Sequence, residues 1–212
     1  MNSYIIGSST IPISRTFKDL GVHVDSDMKF RSHVTEVHTR TLKLIGLIFK
    51  LLRCKEPSIY IKYYQLYVIP VINYSSVLNI GSSKSFVQVI EHSQRTFTKR
   101  LFHCCYPYRA VPSYEERLRL FSLQRLSTRF VLSDLLTVHK LSNGLLSGPQ
   151  IFSFSKRVPY CIILPSINTA LMRGSFFHRG PLTWNKTLKS APPTSLNAFK
   201  HLTLTILDRT AQ

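Results

Sequence analysis

Apolar residues that recur every three or four positions constrain the fold of this 212-residue chain more than any other feature of its sequence. Between Val34 and Leu51 this spacing lines one face of a helix, which ends near Leu52 and has Ser32 as its predicted N-cap. Gly46 lies inside this helix, where glycine costs about 1 kcal/mol relative to alanine, and it indicates close approach of another group. The same spacing returns later in the chain, which predicts a fold made mostly of helices.

Further helical segments follow the first one. Pro57 opens the second helix, in which Tyr60, Tyr64 and Tyr67 predict a buried stripe, and Pro70 kinks or ends this helix. The remaining segments are a helix at 85–102, a short helix in "SYEERLRLFSLQRL", a long helix from about 124 that stops at Asn143-Gly144, and a closing helix from about 195.

Extended structure is predicted in two smaller regions. Residues 4–30 contain the β-rich stretches "YIIG" and "LGVHV", which glycine, proline and the turn "DSD" separate. Residues 145–175 are rich in loops and prolines around one strand candidate, "YCIIL". The predicted fold class is therefore mainly α, with a small N-terminal β element, a helical bundle and a loop-rich α/β segment at the C-terminal end.

The few acidic residues do not form a pattern typical of catalysis. Asp25 and Asp27 lie two positions apart, but Ser26 between them and the "MKF" that follows predict a turn rather than a metal site. Glu115 and Glu116 predict local ion pairs with the arginines that follow them. The chain also lacks a phosphate-binding glycine loop and a hydrolase nucleophile elbow. No catalytic residue and no metal ligand are therefore predicted.

The four cysteines favour half-buried thiols over a disulfide framework or a zinc site. Cys104 and Cys105 are adjacent, and no C-x-x-C spacing occurs. His103 precedes this pair, so a structural zinc ion at His103-Cys104-Cys105 is a minor alternative.

The chain has a large excess of positive charge, with 28 Lys and Arg residues against 10 Asp and Glu residues and a net charge of +18. Such an excess favours an anionic partner, which is either nucleic acid or a membrane surface. No run approaches the roughly 18 apolar residues that a membrane span needs, and the N-terminus does not resemble a signal peptide. Nucleic acid and an intracellular location, nuclear or cytoplasmic, are therefore expected.

Six motifs, in order over nearly the whole chain, resemble those of one protein family. The stretch "FKDLGVHVDSDMKFRSHV" resembles the segment that closes the reverse transcriptase domain of non-LTR retrotransposons, the LINE elements of the jockey and chicken-repeat kind. In that family a K-D-L-G-V strand and a short acidic turn lead to a histidine, here His33, that opens the thumb helix.

The other five motifs lie between residues 66 and 200. They are "LYVIPVINYSSVLN", "IEHSQRTFTKRLF", "SYEERLRLFSLQRL", "DLLTVHKLSNGLL", and "FFHRGPLTWNKTL" together with "SLNAFK". The matching positions include Tyr67, Pro70, Glu91, Gln94, Arg95, Phe97, Thr98, Tyr114, Arg117, Asp134, Arg179, Trp184, Asn185 and Phe199. The chain departs from the family pattern at Asn73, Asn79, Thr128 and His139.

The resemblance implies three regions: a residual palm-end β hairpin at 1–31, a helical thumb-like domain at 32–145 and a post-thumb C-terminal segment at 146–212. Polymerase chemistry in the family belongs to a palm strand with an [FY]-x-D-D motif, and no Asp-Asp pair occurs in this chain. The fingers, most of the palm and its Mg²⁺ are expected before residue 1. The chain alone is then expected to be catalytically incomplete and to need no cofactor.

A thumb holds the template–primer duplex through its phosphates, which requires cations at helical spacing. The predicted nucleic-acid-binding residues are Arg40, Lys43, Lys50, His92, Arg95, Lys99, Arg100, Arg125 and Arg129. The expected partner is RNA or an RNA–DNA hybrid, and a palm and fingers part supplied in trans is a second candidate. Two alternatives remain open: an independent basic RNA-binding or scaffold protein, and a non-functional retroelement remnant.

Overall fold

The computed structural model describes residues 4–11, 13–74, 76, 84–147, 152–188 and 190–210, and most of these residues are helical. The helices are α1 Arg31–Leu51, α2 Pro57–Tyr63, α3 Ile69–Asn73, α4 Lys84–Cys105, α5 Tyr114–Leu120, α6 Leu126–Ser142, α7 Ala170–Gly174, α8 Phe176–Thr187 and α9 Leu196–Thr210. Two antiparallel hairpins precede them, β1 Tyr4–Ile6 with β2 Ser9–Ile11, and β3 Thr16–Asp19 with β4 Val22–Asp25. The predicted mainly α fold with a small N-terminal β element is confirmed.

The acidic stretch between β4 and α1 is a turn, as predicted, and it also caps a helix. Asp27 Oδ1 accepts a hydrogen bond from the backbone N–H of Lys29 at 3.2 Å, which is a typical turn contact of aspartate. Asp25 Oδ2 accepts from the backbone N–H of Ser32 at 3.3 Å, and hydrogen bonding with the side chain of Ser32, followed by this backbone bond, holds the pKa of Asp25 below its usual value. The prediction that Ser32 is the N-cap is wrong, because Phe30 holds that position and Asp25 supplies the capping oxygen.

The helical segment that begins at Pro57 changes its pitch before Pro70. A π-helical turn, Tyr64–Val68, joins α2 to α3, and Pro70 lies in the first turn of α3. Proline has no N–H to donate, and irregular helical turns commonly accommodate the hydrogen bond that it cannot make. The sequence predicted a kink or an end of the helix at Pro70, and the structure has a change of helix type just before this residue.

The tyrosines of this segment divide between the core and the surface. Tyr60 and Tyr64 are buried, with 1% and 0% of their surface exposed. Tyr67 was predicted to belong to the same buried stripe, but 51% of it is exposed and its ring stacks on Tyr63 with centroids 5.8 Å apart. The wider π-helical turn rotates Tyr67 out of register with the apolar face of α2.

Two hydrophobic cores meet in α6. The first core is formed by the helices from α1 through α5, and it includes Leu126 and Phe130 from the beginning of α6. The second core joins α6 to α8 and α9 and includes Leu135 and Val138 from the later part of the same helix. The predicted domain boundary after residue 145 lies just beyond the end of this shared helix.

A buried ion pair connects α6 to α8 beside the second core. Asp134 is 2% exposed, and its two carboxylate oxygens accept hydrogen bonds from Arg179 Nε at 2.7 Å and Nη2 at 3.1 Å. Arg179 Nη1 also donates to the carbonyl of Gly174 at 2.7 Å. Burial raises the pKa of Asp134, and the bonds with Arg179 oppose that rise.

Trp184 is an anchor of the second core. It is 1% exposed, its indole N–H donates to the carbonyl of Tyr160 at 2.9 Å, and its ring stacks on Phe199. Phe199 stacks on its other neighbour, the buried His139, with ring centroids 4.1 Å apart. Trp184 and Phe199, two of the aromatic positions that carry the family resemblance, are thus packing residues.

The strand predicted in "YCIIL" is reduced to one isolated bridge between Phe154 and Ile162. The side-chain amide of Asn185 explains this difference, because it pairs with the backbone of Ile162 as a neighbouring strand would. Asn185 Oδ1 accepts from the Ile162 N–H, and Asn185 Nδ2 donates to the Ile162 carbonyl, both at 2.8 Å.

The two N-terminal hairpins leave much of their apolar surface uncovered. Every described residue of β1, β2 and β3 is exposed, with Ile6 at 71% and Leu20, in the turn after β3, at 85%. β4 contacts α1, where it buries Val22, and the hydroxyl of Tyr74 donates to the carbonyl of Leu20. The β3–β4 hairpin is therefore attached to the helices mainly through β4 and the turn before it.

Candidate nucleic-acid interface

The helices α1 and α4 run side by side in the same direction. His38, in the first half of α1, contacts Ser93, near the middle of α4, with Nδ1 and Oγ 2.8 Å apart. Phe49, near the end of α1, lies against Phe97 of α4 with ring centroids 5.8 Å apart. Because the contacts follow the same order on both helices, their solvent-facing sides form one continuous surface.

Exposed cations line this surface, which we call the α1–α4 face. Lys43 and Lys50 are two helical turns apart on α1, and His92 and Lys99 have the same spacing on α4. Arg100 also lies on α4 and is exposed. The salt bridges of the described part of the chain involve other residues, so these five side chains have no acidic partner there.

Arg100 connects the two helices of the α1–α4 face. Its guanidinium carbon lies 4.6 Å from the centre of the Phe49 ring on α1. A cation over an aromatic face is held in place without losing its charge or its hydrogen-bond donors. Arg100 therefore remains able to contact a phosphate from a fixed position.

Arg40 lies apart from the α1–α4 face although it is exposed on the same helix. It lines a cavity under the β3–β4 hairpin together with Lys18, Glu36 and Tyr74. The cavity contains an acid, Glu36, which forms a salt bridge with Lys18 at 3.2 Å. Arg40 thus faces a surface of mixed charge.

The other three predicted residues lie towards α5 and α6, and each is engaged within the chain. The guanidinium of Arg95 lies 4.4 Å from the centre of the Tyr114 ring, and Arg125 forms a salt bridge with Glu115. Arg129 is half-buried, and burial lowers its pKa. The nine predicted residues therefore divide into a shared face of five and four residues placed elsewhere.

A buried polar network behind the α1–α4 face holds α4, α5 and α6 together. Glu91 accepts hydrogen bonds from the hydroxyl of Tyr114 and, at 3.3 Å, from the backbone N–H of Ser127 in the first turn of α6. Gln94 accepts from the hydroxyl of Tyr64 at 3.1 Å. Glu91 and Gln94 belong to the motif that resembles the reverse transcriptase family, and both are buried. They position the helices and do not face the solvent.

The acidic pair of α5 has roles different from the predicted ion pairs with neighbouring arginines. Glu116 forms a capping box with Ser113, in which each side chain bonds the backbone N–H of the other. Glu115 pairs with Arg125, ten residues along the chain. Arg117 is buried and donates to the carbonyl of Pro112 at 2.6 Å. Glu116 and Glu115 thus bond groups other than the arginines that follow them in α5.

Two histidines belong to the α1–α4 face although the sequence did not single them out for it. His38 lies between the helices, and burial together with the nearby His92 lowers its pKa. His103 is exposed one turn after Lys99 and extends the α4 row. The spacing of four residues between Lys99 and His103 is the sequence signal that places His103 there.

The thiols are half-buried, as predicted. Cys104 Sγ lies 3.6 Å from the hydroxyl of Tyr60 and 3.9 Å from the carbonyl oxygen of Cys54, and burial raises the pKa of Cys105 to about 11. Among the described residues no three metal-ligating side chains come together. None of the helices described is both long and apolar enough to cross a membrane.

The chain is similar in sequence to an uncharacterized curated protein, which assigns it no role. The chain is 24% identical over 141 residues to the uncharacterized protein B0403.1 of Caenorhabditis elegans, which covers 66% of this chain and 70% of the relative. No family model matches the chain. No solved structure matches it either.

Proposed function

We propose that this chain is the C-terminal part of a non-LTR retrotransposon reverse transcriptase that holds template–primer nucleic acid through its phosphates. The α1–α4 face carries the proposal, because four Lys and Arg side chains and one histidine from two parallel helices share one surface without acidic partners in the described part of the chain. The motif order described above supports the family. No catalytic group is assigned to the chain, which is catalytically incomplete alone.

The chemistry of the α1–α4 face suits the phosphate backbone better than base edges. Two helical rows of Lys, Arg and His make charge contacts along a strand, whereas sequence readout needs side chains aimed into a groove. The grooves of an A-form duplex offer side chains little sequence information. The proposed ligand is therefore RNA or an RNA–DNA hybrid, bound with little dependence on sequence.

The proposed binding has a measurable salt dependence. Fluorescence anisotropy of the purified chain with a labelled RNA–DNA hybrid should show affinity falling by about 10³-fold or more between 50 and 200 mM salt. A loss of this size corresponds to roughly six phosphate contacts, because each contact releases condensed counterions. Two hybrids of unrelated sequence should give the same curve, which serves as the control for sequence tolerance.

A folded, monodisperse chain that does not bind the hybrid at low salt contradicts the proposal. Circular dichroism and size-exclusion chromatography of the same sample establish that the chain is folded and monodisperse. In that case the net charge of +18 serves another anionic partner.

The uncovered hairpins bear on one of the alternatives, the independent RNA-binding or scaffold protein. Exposed apolar residues such as Ile6 and Leu20 are expected where a neighbouring part of the protein, here a palm and fingers part, completes the fold. They equally suit a retroelement remnant that has lost this neighbour. An independent RNA-binding or scaffold protein instead needs no such neighbour.

Supplying the palm and fingers part in trans tests which alternative holds. The reverse transcriptase proposal predicts that the mixture extends a primer on an RNA template, while each part alone does not. Hybrid binding without any restored synthesis favours the independent RNA-binding protein, and aggregation of the chain in every buffer favours the remnant. The proposed location is intracellular, nuclear or cytoplasmic, and imaging of a tagged chain in the secretory pathway would contradict it.

A further inference from the structure

Gly46 in the middle of α1 is not explained by packing within the chain. Apart from Gly46, its two chain neighbours and the adjacent backbone of α1, no atom of the described structure lies within 4 Å of the position that a β-carbon would occupy at this residue. Glycine is among the poorest helix formers, because it loses more backbone entropy than alanine and shields the backbone less. The close approach that the sequence indicated at Gly46 is therefore not made by another part of the described chain.

Basic side chains lie around Gly46 on the surface of α1. Lys43 lies three residues before Gly46 and Lys50 four residues after it, so both lie one turn away on the same side of α1. Phe49 lies one turn after Gly46, and the guanidinium of Arg100 sits 4.6 Å from the centre of the Phe49 ring. Lys43, Lys50 and Arg100, all exposed, thus lie around Gly46, where no side chain covers the backbone of α1.

We infer that Gly46 is the point at which the sugar–phosphate backbone of the bound nucleic acid approaches α1 most closely. The glycine Cα–H offers only weak contacts, and the binding energy comes from the three cations around it. A side chain at this position would hold the strand farther from Lys43, Lys50 and Arg100, and each charge contact weakens with distance. This inference rests on the proposed function and names the position on which that function depends.

Substitutions at Gly46 separate folding from binding. Gly46→Ala is expected to raise Tm by about 2–4 °C, because alanine favours the helix and nothing in the described structure opposes its methyl group. The same variant is expected to weaken binding of the RNA–DNA hybrid severalfold at about 100 mM salt. Gly46→Gln, a longer side chain that also favours helix, is expected to weaken it by about 10-fold.

Thr205→Gln provides the matched control, because Thr205 is exposed on α9, a helix of the second core. It adds a side chain of the same kind to a helix surface far along the chain, and its affinity should equal that of the wild type. Equal affinity of the wild type and Gly46→Gln overturns the inference while leaving the proposed function intact. A folded wild-type chain that fails to bind the hybrid overturns the proposed function and the inference with it.

Discussion

Replacing Arg179 by alanine is expected to lower the free energy of unfolding by about 3–5 kcal/mol, the largest effect of a single substitution that we predict. Arg179 donates two hydrogen bonds to Asp134, which is 2% exposed, and a third to the carbonyl of Gly174. Removing the guanidinium leaves a buried carboxylate without its charge partner. Urea denaturation followed by circular dichroism measures the change, if the variant retains a cooperative transition.

The loss is expected to depend on pH in a direction that identifies Asp134 as its cause. Burial already raises the pKa of Asp134 above its usual value of 3.8 with the arginine present, and removing Arg179 removes the group that opposes this rise. The folded variant then binds a proton at a pH where the unfolded chain has released it, so its stability falls as pH rises from the unfolded pKa through the folded pKa. The difference from the wild type should therefore shrink towards pH 4.

Two controls keep this prediction decisive. Arg157→Ala removes an exposed arginine and should change stability by no more than about 0.5 kcal/mol. The double variant Asp134→Leu with Arg179→Met replaces the pair by apolar side chains and should recover much of the loss, since the desolvated charge is gone. A loss for Arg179→Ala that is small, or that does not change between pH 4 and pH 7, contradicts the assignment.

Reversing three charges on the α1–α4 face is expected to weaken binding of an RNA–DNA hybrid by at least about 100-fold at about 100 mM salt. The variant combines Lys43→Glu, Lys50→Glu and Lys99→Glu, all at exposed positions without acidic partners among the described residues. Each substitution removes one phosphate contact and introduces repulsion. The slope of log K against log salt should fall in magnitude by roughly three.

The matched control carries the same change of net charge elsewhere. Lys156→Glu, Lys186→Glu and Lys200→Glu also alter three exposed lysines, but these lie in the C-terminal part of the chain. This control should lose much less affinity and keep most of the salt slope. Equal losses in the two triple variants would show that binding follows net charge alone, and the α1–α4 face would no longer be the interface.

The sequence predicted α1, α4 and α6 well because their signals are local, whereas it did not predict α8 or the short helix α7, which lies in the region described as rich in loops. The spacing of apolar residues placed α1 and α4 within a few residues of their observed bounds, and Asn143-Gly144 marked the end of α6. The misplaced N-cap of α1 has a different cause. Its capping oxygen belongs to Asp25, whose position over the helix depends on the β3–β4 hairpin and not on local spacing.

The candidate site was predictable in part. Spacing of seven residues marked Lys43 with Lys50 and His92 with Lys99 as helical rows, and the contacts that join α1 to α4 bring the rows together. Arg125 was grouped with them although it pairs with Glu115 on α5. Such pairing across helices depends on tertiary packing, so the charge of a residue in the sequence does not reveal whether it faces an external partner.

The resemblance to reverse transcriptases marked residues whose role here is mostly internal. Glu91 and Gln94 form the buried network, while Trp184 and Phe199 pack in the second core. These residues preserve the arrangement of the helices. The basic residues of the α1–α4 face carry the proposed binding, and of these Lys43 and Lys50 lie outside the motifs.

The shared helix α6 couples the free energies of the two cores. Its first turns bury Leu126 and Phe130 on one side, and its later turns bury Leu135 and Val138 on the other. Neither core can lose this helix without exposing apolar surface of the other, so local opening of one carries part of the cost of opening both. A ligand that binds the α1–α4 face and stabilises the first core is therefore expected to stabilise the second core as well, including Trp184, without contacting it.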